Sequence, residues 1–129
     1  MTAGALAGAA CRTSSTTTTP TTASATVTTD TVSSHLAAGG SATRTFVAKS
    51  AGTVKVTLTS LGGLDVALGL GIGIPGGSAP CNLAQSVAAR PSSVPQIVAA
   101  VDPGTFCVQL FDGGVLNGDV PFTVTIEHP

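Results

Sequence analysis

Three cysteines, two histidines and six carboxylates are nearly all the reactive chemistry in this 129-residue chain, so their spacing decides what it could do. Cys81 and Cys107 lie far enough apart to close a loop of about 26 residues, and in an oxidising compartment such a bridge stabilises a fold by roughly 3 kcal/mol. The alternative is a pair of reduced, buried thiols in a cytosolic protein. No zinc site is legible, because a structural zinc asks for four closely spaced Cys or His ligands, whereas His35 and His128 lie far apart and neither cysteine has a CxxC partner. Asp65, Asp102, Asp112 and Asp119 all fall at expected turns, where carboxylates can pool around calcium but where aspartate is also an ordinary turn residue. Ser and Thr are abundant, yet neither histidine sits in a Gly-x-Ser-x-Gly type of motif. Glu127 is the only glutamate, so paired carboxylates for glycoside hydrolysis find no support. The residues predict a protein that is not an enzyme and needs no cofactor.

The elements that must position these groups are strands. In Thr53 to Ser60, Val54, Val56 and Leu58 alternate with Thr53, Lys55, Thr57 and Thr59, the period of two expected of a strand with one face on a core and one in water. Ala42 to Ala48 reads as a strand, with Lys49 to Gly52 as a hairpin turn into the next. From Asp65 to Ile74 the apolar residues share one face, and Gly69, Gly71 and Gly73 share the other, which implies a bulged backbone or close packing over the glycines. Pro75 to Pro91 reads as a long crossing loop carrying Cys81. Gln96 to Val101 and Phe106 to Phe111 flank an Asp-Pro-Gly turn, and Phe122, Val124 and Ile126 alternate with polar residues to close the sheet. Short strands at this spacing predict an all-β chain folded as a single antiparallel β-sandwich.

The N-terminal part is different. Residues 1–31 read as an export-type N-terminus and a tether, with the sandwich at residues 32–129. Thr13 to Thr22 is almost entirely Thr and Ser and has too little apolar surface to offset the entropy of ordering it. Leu6 to Cys11 resembles the end of a bacterial lipoprotein signal, in which small residues precede a lipidated Cys, although Leu6 stands further from the Cys than usual and no basic residues precede it. Lipid on Cys11 would then be the route to a membrane.

Four segments resemble a known family: Ser41-Ala-Thr-Arg-Thr-Phe46, Ala51-Gly-Thr-Val-Lys-Val-Thr-Leu58, Leu64-Asp-Val-Ala-Leu68 and Asp102-Pro-Gly-Thr-Phe-Cys-Val108. In this order, over Val32 to Glu127, they resemble the bacterial pre-peptidase C-terminal domain. That resemblance implies a secreted jelly-roll sandwich appended to exported enzymes. The chain departs from the pattern in carrying Phe106-Cys107 where paired aromatics usually stand, and in having no attached peptidase.

Composition narrows the partners. Charged residues are 9% of the chain and the net charge is −1, so there is no basic surface to neutralise a nucleic acid backbone. Four Phe, no Trp and no Tyr leave few platforms for stacking sugars or bases, and the Phe residues sit in strand-like runs as core. The expected role is a non-catalytic accessory, adhesion or assembly module in the extracellular space, at the bacterial cell surface or in the periplasm, with protein or glycan partners. Two alternatives are a filament subunit that self-associates by donating Thr16 to Thr31 as a strand, and a carbohydrate-binding module.

Overall fold

The computed structural model describes residues 26–129, all of whose regular elements are strands. They are β1 (Thr28–Leu36), β2 (Ser41–Ala48), β3 (Gly52–Ser60), β4 (Leu68–Gly76), β5 (Ala79–Ala89), β6 (Ile97–Val101), β7 (Gly104–Phe111) and β8 (Val120–His128). They form two four-stranded sheets, ordered β1-β8-β3-β6 and β2-β7-β4-β5, with every recorded pairing antiparallel. Successive strands change sheet everywhere except at the β4–β5 hairpin. This is the double Greek key of a jelly roll: a sandwich, as the alternation predicts, and of the jelly-roll type that the family resemblance implies.

Alternation builds the core directly. Val54, Val56 and Leu58 of β3 meet Leu68, Leu70 and Ile72 of β4, Val108 and Leu110 of β7, and Phe122, Val124 and Ile126 of β8 in one buried cluster. Phe46 and Phe122 are buried in it. Phe106 packs at its margin with its ring 5.8 Å from that of Phe46. Phe111 instead faces outward.

Three expectations are corrected. The Lys49 to Gly52 turn is an arch between sheets, because β2 pairs with β7 while β3 pairs with β6 and β8. Both flanking strands point apolar side chains at the same interior, so alternation cannot say whether they also pair. The segment from Pro75 to Pro91 is largely β5, an 11-residue edge strand. Its outward residues meet no second layer and therefore carry little alternation, which makes it read as loop. Finally, Thr28 to Thr31 belong to β1, opposite Thr125 to His128 of β8, and are not part of a tether. One-sided pairing at an edge is enough to hold a polar Thr-rich strand that periodicity alone leaves unassigned.

Candidate functional site

Cys81 of β5 and Cys107 of β7 are joined by a disulfide. The two strands are not neighbours, since β4 lies between them. Strands two places apart in a flat sheet are separated by roughly 9.5 Å, yet these Cα atoms are 5.8 Å apart. The start of β5 therefore leaves the sheet and curls over β4. Two register shifts in the β4–β5 pairing, at Ile72/Gly73 and Ile74/Gly76, accompany the curl. Gly73 lies directly beneath it, and a Cβ there would overlap the carbonyl oxygen of Asn82. The other two glycines of that face are covered by side chains, Gly69 by the Phe111 ring and Gly71 by Leu83, whose Cδ1 would be 2.7 Å from an added Cβ. Both readings of the glycine-rich face thus apply: β4 is bulged, and it is closely covered by its own neighbours. The bridge spans three strands and has almost no exposure, with Cys81 at 5% and Cys107 at 0%.

The four turn carboxylates do not converge. Asp112 is buried and acts as a backbone clasp, accepting hydrogen bonds from the N–H groups of Gly39 (2.8 Å), Gly114 (2.9 Å), Val115 (2.8 Å) and Leu116 (3.3 Å). Gly39, at φ 72°, supplies the left-handed turn that aims its N–H at this carboxylate. The Gly39 bond above all, with those from Val115, Gly114 and Leu116, outweighs desolvation and holds the Asp112 carboxyl below its ordinary value. Asp65 faces Arg90 at 3.5 Å in an exposed pair. Among the described residues no three His, Cys, Asp or Glu side chains stand where they could hold a metal ion, so Asp65, Asp102, Asp112 and Asp119 form no calcium cluster there. Cys11 lies outside the described residues.

His128 is buried between the sheets, its ring 4.9 Å from that of Phe46. Nε2 lies 3.0 Å from a carboxylate oxygen of Asp30 and Nδ1 3.1 Å from the Pro129 carbonyl. Both ring nitrogens thus face oxygen atoms of Asp30 and Pro129. Sequence reasoning missed this pair because its members are 98 positions apart and only the β1–β8 register brings them together.

The open edges are unequal. β6 has 5 residues, and β5 carries Pro80, the two register shifts and the disulfide. β1 and β2, with 9 and 8 residues, run in unbroken register with β8 and β7. Their only fully charged side chains are Asp30, engaged by His128, and Arg44. They flank one apolar seam lined by Val32, Ala42, Leu110, Phe122 and Val124, with room for about 30 Å³. That admits a water or two but no side chain.

Strand order and register place the chain among the eight-stranded jelly-roll sandwiches. No protein-family model matches it, and no curated protein matches it. Among solved structures it is similar to PliG of Aeromonas hydrophila, a periplasmic inhibitor of g-type lysozyme, with 16% identity over 76% of this chain and 83% of that one and a TM-score of 0.54. At that identity the likeness concerns the fold alone. A Bacillus endospore appendage protein of the disulfide-linked pili is 13% identical over 85% of this chain and 97% of that one, at a TM-score of 0.37, too loose to carry an argument.

Proposed function

We propose that the chain is a non-catalytic extracellular module that joins other protein chains by strand addition along β1 and β2. The observation that carries this reading is the contrast between edges: β5 and β6 are broken or short, whereas β1 and β2 are long, regular and nearly uncharged. Exposed backbone N–H and C=O groups on such an edge are a template for another strand, and proteins that must stay apart usually block it with charge, proline or a bulge. The disulfide supports an oxidising compartment, and a bacterial surface or periplasmic setting, with lipid on Cys11 as an anchor, is the finer form of the same reading. The engaged histidine and scattered carboxylates support the absence of catalysis. Kinship with the pre-peptidase C-terminal domains is also proposed, on the strength of the segments quoted above.

A second reading names the incoming strand. Thr28 to Thr31 are committed to the chain's own β1, so a donated strand would come from Thr16 to Val27 of a neighbouring copy, a stretch of Thr, Ala, Ser and Val with one proline and no charge. Sedimentation of the purified protein tests both. The wild type is expected to form oligomers or fibres, and two double variants at exposed positions, Thr29→Lys with Thr31→Lys on β1 and Thr43→Lys with Thr45→Lys on β2, are expected to shift it toward monomer. A wild type that stays monomeric at high concentration, or variants that assemble unchanged, would refute assembly through these edges.

A further inference from the structure

The outer face of the β1-β8-β3-β6 sheet is paved with hydroxyls. Thr31 of β1 stands opposite Thr125 of β8, and Thr125 opposite Thr57 of β3. Beside β3 runs a strap, Arg90 to Gln96, fastened by Gln96, whose side chain accepts from Leu58 N–H at 2.8 Å and donates to the Arg90 carbonyl at 2.7 Å. The strap turns part of the face into a groove of about 340 Å³. Thr57, Thr59 and Thr125 form its floor, Ser93 and Pro95 its wall, and Lys55 with Glu127, partners in register, its end.

Thr57 is the informative residue. It is 7% exposed, it lines this groove, and its hydroxyl has no hydrogen-bond partner among the described residues, whereas the Thr59 hydroxyl donates to the Thr123 carbonyl at 3.1 Å. Buried hydroxyls are rarely left unsatisfied in native folds, so one facing a groove marks a place where a polar group enters. Valine, equal in shape and free of that cost, would serve a purely structural position on a strand.

We propose that this groove binds a neutral, polyhydroxylated chain: an oligosaccharide. Each threonine or serine hydroxyl both donates and accepts, as sugar hydroxyls do. Lys55 and Glu127 oppose one another in charge, so the groove does not select an ionic ligand, and the carboxylate can accept from two adjacent sugar hydroxyls. Threonine methyls and the Pro95 ring offer apolar contact for sugar C–H faces where tryptophan and tyrosine are absent. A peptide fits less well, because the backbones of β3 and β8 are already paired within the sheet and offer no ladder. From Lys55 to Thr59 the floor runs roughly 13 Å, enough for two or three sugar rings.

The test is titration of isotope-labelled protein with cellohexaose and then maltohexaose, followed by NMR. With at least one of them, saturable amide shifts are expected within residues 55–59, 92–96 and 123–127. Thr57→Val is expected to weaken that binding roughly five- to ten-fold, the value of one hydrogen bond, without lowering the melting temperature. Thr125→Val provides a second probe should the first variant fold poorly. No saturable shift with either sugar at millimolar concentration, shifts confined to other surfaces, or undiminished binding by the folded variants would overturn the proposal. The Thr43→Lys, Thr45→Lys variant lies on the other sheet, leaves the groove intact and separates this site from assembly.

Discussion

At the scale of single residues, Gly73 and Gly69 occupy equivalent positions on one face of β4 but are covered by different things. The obstacle above Gly73 is backbone, the Asn82 carbonyl, and above Gly69 it is the Phe111 ring. Backbone held by a disulfide cannot step aside, while a half-exposed ring can rotate. Gly73→Ala is therefore expected to cost about 3 kcal/mol or to prevent folding, and Gly69→Ala to cost about 1 kcal/mol, as read from denaturant unfolding. Equal costs would show that the curl of β5 is not fixed. Asp112 gives a second prediction. Its folded pKa lies below its ordinary value of 3.8, so its ionised form stabilises the fold above that value, and the contribution is lost as the pH falls through the lower, folded value. Asp112→Asn is expected to lower the melting temperature by several degrees at neutral pH, and the gap to the wild type is expected to narrow below about pH 4. A gap constant with pH would mean that the charge contributes nothing.

At the scale of elements, the disulfide ties β5 to β7 across β4. Removing it with Cys81→Ala and Cys107→Ala is expected to cost roughly 3 kcal/mol by the loop-closure estimate. Because the bridge holds only the start of β5, hydrogen exchange should rise first at Ala79 to Leu83 and not in β3 or β8. Uniform loss of protection would show that the bridge supports the whole sandwich. β3 and β8 were the most legible elements, since both alternate cleanly between core and solvent. β5 was the least legible, because an edge strand curled over glycines has no buried side on most of its length and leaves no period in the sequence. β1 was half legible for a related reason: threonine favours strands, but on an exposed edge nothing in the pattern separates a paired threonine from an unpaired one.

At the scale of the whole molecule, a jelly roll has two open sides, each flanked by one edge from each sheet. Here the β5/β6 side is shortened, bulged and stapled, and the β1/β2 side is left regular. The proposed strand addition would thus be directed to one side of the particle. Deleting residues 1–24 leaves every described element intact and is the companion to the edge-lysine variants. If a neighbour's N-terminal segment is the incoming strand, the truncated protein sediments as a monomer and the lysine variants do too. If edges of folded modules pair directly, only the lysine variants dissociate.

The sequence by itself determined the all-β class and the inward positions of β3 and β8, because these depend on side-chain period and residue type, which are local. Tertiary structure decided which strands share a sheet, that Cys81 reaches Cys107 over β4, that His128 meets Asp30, and that Thr57 lines a groove beside a strap. Those facts depend on register between segments remote in the chain, and alternation, being the same for either sheet, carries no information about the partner.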